Sequence, residues 1–285
     1  MSSRSLLRTW TTRCALIGCC LVVYPMPKLT YATDSLTTAE NTARARWISA
    51  ISSDNASVLS ELLQQSDNPK SELLTVSASN GKTALMVACK LGDEALAKSL
   101  VAQGANIREK TVTGGTAFMF SVLGDQKALA QWLQAMGADI NAQGSNGWTS
   151  VMIAAAKGLD DTLAWLIEAG ADAAKPDVYG FTPLMRAVDN NHNDSVRQLL
   201  NIDTVDVHWQ DEVGNTALHY AVSNLNLANV KQLLGANANP SIENLYSDTP
   251  WSLIDAMKIS AGNTPAQNAD IEPIHSEIQQ TLKAH

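Results

Sequence analysis

The chain has 285 residues, 45% hydrophobic and 17% charged, enough apolar content for one or two packed domains and too much for a wholly disordered polymer. Its 20 basic and 28 acidic residues leave a net charge of −8, unevenly spread: residues 1–32 hold four of the bases and no acid, so the remaining 253 residues carry 16 bases against 28 acids, a net of −12. A body this acidic lacks the electrostatic footprint of a nucleic-acid binder and is repelled by anionic lipid surfaces.

The amino terminus reads as an address. Arg4, Arg8 and Arg13 precede an apolar run from Cys14 to Met26, and the stretch Leu29-Thr30-Tyr31-Ala32 ends with small residues at the first and third positions before a cut. This is the order of a secretory signal peptide, and the run is shorter than the roughly 20 apolar residues a membrane span needs. Cleavage after Ala32 and delivery to the periplasm are expected, with no membrane insertion afterwards. Leu16-Ile17-Gly18-Cys19 also resembles the lipobox of bacterial lipoproteins, but a cut there leaves the greasy stretch Leu21 to Tyr24 on the mature protein, so lipidation at Cys19 is the weaker alternative. Removal of residues 1–32 takes Cys14, Cys19 and Cys20 with it. The single thiol left, Cys89, cannot form an internal disulfide and reads as a small buried apolar residue.

After a short terminus at 33–36, residues 37–65 read as a helix pair without a turn signature of its own, and Ser66 to Ser79 as a long, irregular first finger. A repeat then takes over. Thr83, Thr116, Thr149, Thr182, Thr216 and Thr249 are spaced 33, 33, 33, 34 and 33 residues apart, and Gly81, Gly114, Gly147, Gly180 and Gly214 stand two residues before the first five. The glycine suits a tight turn with positive φ, and the threonine a helix N-cap, with Pro183 and Pro250 at the first helical position. A short alanine-rich helix follows. A second helix is marked by apolar spacing, as in Leu163, Leu166 and Ile167, then Val196, Leu199 and Leu200, then Val230, Leu233 and Leu234. Gly104-Ala105-Asn106 and its counterparts close the unit. The closing helices are expected at Thr249–Met257 and Ile271–Leu282, with a polar loop at 261–270 between them.

The pattern G-x-T-x-x-x-x-A, then V/L-x-x-L-L-x-x-G-A-D/N, resembles the ankyrin repeat. The resemblance implies an all-α solenoid of helix-turn-helix units with β-turn fingers and helical caps. Its parts are an N-terminal cap with a long loop (33–77), five repeats (78–243) and a degenerate closing repeat (244–285). Four methionines, Met86, Met119, Met152 and Met185, stand where the family carries histidine, and only His219 keeps it, as a tie between turn and helix. Asp125 and Asn191 replace the glycine between helices, which is expected to loosen those corners.

Chemistry for catalysis is missing from the motifs: there is no phosphate-cradling glycine loop, nucleophile elbow, H-E-x-x-H or C-x-x-C. His192 with Asp189 and Asp194, and His208 with Asp211 beside Trp209, read as surface groups, not metal or catalytic sites. The expectation is therefore a monomeric non-enzyme with no cofactor or metal.

The resemblance implies protein binding through the fingers and the concave side of the first helices. Residues at equal offsets form ladders there: Lys82, Gly115, Trp148, Phe181, Asn215 and Asp248 before the threonines, and Asn80, Thr113, Asn146, Tyr179, Val213 and Tyr246 before the glycines. Trp148 and Phe181 are thus neighbours on solvated fingers, flanked by Tyr179, with Tyr246 further along the ladder as another contact residue and Arg186, Asp189, Asp211 and Glu212 as a polar rim. Trp132 and Trp165 share a phase on the convex side and read as partial core. The acidity leans toward a basic protein partner. Two roles fit a periplasmic binder: an immunity-type inhibitor of a toxin, or a helper of an envelope enzyme. An effector released beyond the cell to bind host proteins is the alternative, and a metal-assisted enzyme a remote one.

Overall fold

The computed structural model describes residues 38–65, 73–259 and 276–283. The chain divides into two units, Met1–Ala39 and Glu40–His285, and nearly all the described residues lie in the second. The expected signal peptide, the loop 261–270 and the first residues of the closing helix lie outside the described residues.

Helices come in pairs. The opening pair is α1 (Thr38–Ser52) and α2 (Ala56–Gln65). Five repeats follow: α3 (Ala84–Leu91) with α4 (Glu94–Ala102), α5 (Ala117–Leu123) with α6 (Lys127–Ala135), α7 (Ser150–Lys157) with α8 (Asp160–Glu168), α9 (Pro183–Asp189) with α10 (Asn193–Leu200), and α11 (Ala217–Ser223) with α12 (Leu227–Gly235). The closing pair is α13 (Pro250–Ile259) and a helix over 276–283. Among the described residues there is no strand, only an isolated bridge between Lys110 and Thr116.

Each first helix starts as its threonine dictates. Thr83, Thr116, Thr149 and Thr182 are extended and accept from the backbone N–H of Met86, Met119, Met152 and Met185, at 3.4, 3.2, 3.2 and 3.3 Å. The helices then pack first against first through small residues: Ala84, Ala88, Ala117, Ala154, Ala155, Ala187, Ala217 and Ala221 are all buried. Gly124 marks the closest approach, since a Cβ there would lie 1.9 Å from the Lys90 carbonyl oxygen. Cys89 is wholly buried, and burial pushes its thiol up to about 12, so it is inert filling.

The corner between paired helices is left-handed in the opening pair and in all five repeats: Asp54, Gly92, Asp125, Gly158, Asn191 and Leu225 have φ of 53, 79, 56, 65, 62 and 53°. The corners at Asp125 and Asn191 are not loosened. Short polar side chains tolerate this backbone, and both are tied onward, Asp125 accepting from the Thr162 hydroxyl at 2.9 Å and Asn191 from the Asn226 amide at 2.8 Å. Leu225 adopts the same conformation without such help.

The opening pair caps the stack with Trp47, Ile51 and Leu59 fully buried, and its corner Asp54 holds the first repeat by ion pairs to Lys82 and Lys90. Partial burial pushes the Asp54 carboxyl up, but the hydrogen bonds from Lys82 and Lys90 prevail and hold it below its ordinary value. The first finger is not long: Ala78–Lys82 closes by the same bonds as the others, Gly81 N–H to Ala78 O at 2.8 Å and Ala78 N–H to Lys82 O at 2.9 Å, and the extra residues precede it.

Candidate protein-binding face

Fingers are the five residues before each threonine. The turn glycines have φ of 77–83°, and a Cβ on Gly81, Gly114, Gly147, Gly180 or Gly214 would also come within 2.7–3.0 Å of the next finger's backbone. That proximity permits a ladder. Val112 N–H donates to Asn80 O, Ser145 to Thr113, Val178 to Asn146, Glu212 to Tyr179 and Leu245 to Val213, at 2.8–3.1 Å. Side chains add crossings: the Gln143 amide reaches Gly147 O and Pro176 O, and the Gln210 amide reaches Gly214 O and Glu243 O. The fingers therefore move as a row, and the residues at their tips have fixed spacing.

The structure brings Trp148 and Phe181 together, but not as free solvated anchors. Both are half-buried, and the Arg186 guanidinium lies between them, its carbon 5.1 Å from the Trp148 ring centre and 4.0 Å from that of Phe181. Phe181 in turn packs on Tyr220, with ring centres 5.1 Å apart. Arg186 is not part of a polar rim. Its side chain is 12% exposed and pairs with the fully buried carboxylate of Asp177. Asp211 is not a rim residue either: it is buried, accepts from the Val213 and Asn215 backbone N–H at 2.9 Å, and takes the Tyr220 hydroxyl on its other oxygen. Asp177 works identically on its own finger, accepting from Tyr179 and Phe181 N–H at 2.9 and 3.0 Å. An aspartate at the first finger position can satisfy two turn N–H groups and still bind a helix side chain, which is why these carboxylates face inward.

Tyr179, Tyr246 and Glu212 stand at the surface as expected, with Tyr179 58% and Tyr246 57% exposed. Val178, Leu245 and Trp209 join them, Leu245 being 76% exposed. Trp209 is fixed by its indole N–H, which donates to Gly180 O at 2.8 Å. The tips of repeats four to six thus carry a run of apolar side chains. Leu245 was legible as the neighbour of Tyr246, but the place of Trp209 depends on a bond across 29 residues.

The first helices supply a second row. At the fourth residue after the threonine stand Val87, Phe120, Ile153, Arg186, Tyr220 and Leu253, and at the seventh Lys90, Leu123, Ala156, Asp189 and Ser223. The middle of this concave face is apolar, through Phe120, Leu123, Trp148 and Ile153. Asp189 ends that stretch. It is half-buried, and burial pushes its carboxyl up from the ordinary value while Arg186 pulls it down.

The three described histidines, His192, His208 and His219, bond backbone groups of the fold. His219 Nδ1 accepts the Thr216 N–H at 3.0 Å, so its proton is on Nε2, which donates to Asp248 O at 3.1 Å. Burial holds it below its ordinary value, against the pull of the Asp248 carbonyl and the Asp211 and Asp248 carboxylates. His192 packs on Gly158 with Nε2 3.1 Å from Ala156 O, and His208 Nε2 lies 3.0 Å from Asn237 O. Among the described residues no three His, Cys, Asp or Glu groups gather as metal ligands, and no helix is long and apolar enough to cross a membrane. Trp132 and Trp165 are partly buried, Trp165 against Phe118 at 6.2 Å, as the convex reading expects.

Stacked helix pairs, a finger row and a concave face define a solenoid of the protein-binding type. The profile described as "Ankyrin repeats (3 copies)" matches residues 47–144, 118–211 and 151–244, more than half of the chain. The protein belongs to the ankyrin repeat family. The crystal structure of the human ASB11 ankyrin repeat domain is similar to it, with a TM-score of 0.65 and 20% identity over 84% of this chain and 96% of that one. At that identity the likeness speaks for the fold alone. No curated protein matches the sequence.

Proposed function

We propose that this ankyrin repeat protein is exported to the periplasm and there holds one partner protein on its concave face and the fingers of repeats four to six, without catalysing a reaction. The observation that carries the reading is the run of exposed apolar side chains at Val178, Tyr179, Trp209, Leu245 and Tyr246 on a row of fingers held rigid by backbone bonds. Contiguous exposed apolar surface rimmed by polar groups marks an interaction site. Export rests on the amino-terminal arginines, apolar run and small-x-small cut. The acidic body favours fast, steered association with a basic protein, which suits an immunity-type inhibitor; a helper of an envelope enzyme uses the same face.

Affinity capture from periplasmic extract tests this. The chain is expected to recover one partner in stoichiometric amount, and Tyr179→Ala/Tyr246→Ala to recover at least ~10-fold less at unchanged melting temperature. Equal recovery by both forms removes the fingers from the interface. Titrating the captured partner's own activity separates the roles: inhibition complete at one equivalent marks an inhibitor, and undiminished activity a helper. Recovery of the protein from the medium instead of the periplasm overturns the location.

A further inference from the structure

Asp189 stands apart from the other carboxylates of the concave face. Its backbone carbonyl takes the Asn224 amide at 3.0 Å, but among the described residues no donor bonds its carboxylate and no cation forms a contact ion pair with it. The cations on its own and the adjoining helices are already engaged. Arg186 is held by Asp177 and two rings, Lys157 donates to Leu123 O at 2.6 Å, and Arg197 pairs with Asp194. The stacked helix α11 brings no lysine or arginine, and its His219 has both ring nitrogens engaged by Thr216 and Asp248. The single charge of Arg186 is thus shared by Asp177, which binds it, and Asp189, which only feels it, an excess of one negative charge at a half-buried position. Carboxylates withdrawn from water are ordinarily paired. Along the same ladder, Ala156 and Leu123 precede Asp189, so an apolar track leads to the acid.

We propose that Asp189 is the docking point for one lysine or arginine side chain of the partner protein, its aliphatic stem lying along Ala156 and Leu123 and its cationic head at the carboxylate. The inference rests on the concave face being the binding surface, and adds the chemistry of the group it takes. Long basic side chains suit such a place, because the stem covers apolar surface while the head keeps a polar partner. A lone carboxylate without companion ligands does not suit a metal ion.

The test selects peptides from a random display library against the full chain, then measures the selected peptides on variants. Wild type is expected to enrich peptides carrying Lys or Arg next to apolar residues. Asp189→Asn is expected to bind them ~10-fold or more weakly while melting no lower, and Asp189→Glu to recover part of the affinity. Peptides without a basic residue, or basic peptides held equally well by Asp189→Asn, overturn the role of Asp189. If those same peptides are weakened by Leu123→Ser or Tyr179→Ala, the face itself stands. Peptides indifferent to all four variants, or a library that yields no binder, overturn the face together with the inference.

Discussion

In repeats one to three the finger opens with Ala78, Thr111 or Gly144, and the concave helix position nine residues on is Val87, Phe120 or Ile153. In repeats four and five it opens with Asp177 or Asp211, and the same position is Arg186 or Tyr220. The backbone is the same in both halves, closed by the same turn bonds and glycines. What differs is how the finger is secured to its helix. The early fingers rest on threonine, glycine and apolar contact, as Phe120 lies over Gly115. The later ones are riveted by a buried carboxylate, which gives the charged or hydroxyl end of a polar side chain on the concave wall a partner, Arg186 through Nη2 and Tyr220 through its hydroxyl. Surface chemistry on the concave side is therefore set by the finger's first residue.

The largest effect that tests this contrast is Asp177→Ala. It strands Arg186 and two finger N–H groups, and is expected to cost about 3–5 kcal/mol in chemical denaturation, whereas Thr111→Ala at the same position costs about 1 kcal/mol. Equal costs would erase the distinction. Next are the glycines the halves share. Gly114→Ala and Gly180→Ala each force a side chain into positive φ and to 2.9 Å from the neighbouring finger's Cα, so each is expected to lose roughly 2–5 kcal/mol, and by similar amounts. Gly170→Ala, with φ of 82° but nothing within 4 Å, is expected to lose only about 1 kcal/mol. Thr149→Ala removes a helix cap and is expected to cost about 1 kcal/mol by the same measurement.

The smallest effect is conditional on pH. His219 is held below its ordinary 6.5 by burial, so the unfolded chain takes the proton first as the pH falls. Its contribution is complete above 6.5 and is lost as the pH drops below that toward the folded value. His219→Met installs the side chain of the other four repeats, and is expected to lower the melting temperature at neutral pH while flattening its fall on acidification. Parallel melting curves for both proteins from neutral to mildly acidic pH check this, and identical slopes would deny His219 the role.

Much of this architecture was readable because a repeat states each rule several times. Thr83 to Thr249 fixed the helix starts, the glycines fixed the turns, and equal offsets made Trp148 and Phe181 neighbours. What sits between their rings was not readable, because it depends on the rotamer of Arg186. A signal existed in the recurrence of Asp177, Asp211 and Asn244 at one finger position, where an acceptor can hold the turn and still reach the helix; Asn244 also holds Tyr246 and Asp248 N–H at 2.9 and 3.0 Å. Arg186 and Asp211 looked like rim residues because exposure at a given offset is not constant around the stack. The corner at Leu225 is illegible for a different reason: a leucine there carries no local sign of a left-handed backbone, which its place in the repeat imposes.

The finger ladder has a consequence for how this molecule can change length. Every rung joins a finger only to the one beside it, and every turn glycine touches only that same neighbour. Losing a whole unit leaves the remaining rungs with equivalent partners, while losing one residue from a finger orphans the rungs on both sides. Its binding face is a ruler with one permitted division, and it can be cut or extended only at the marks.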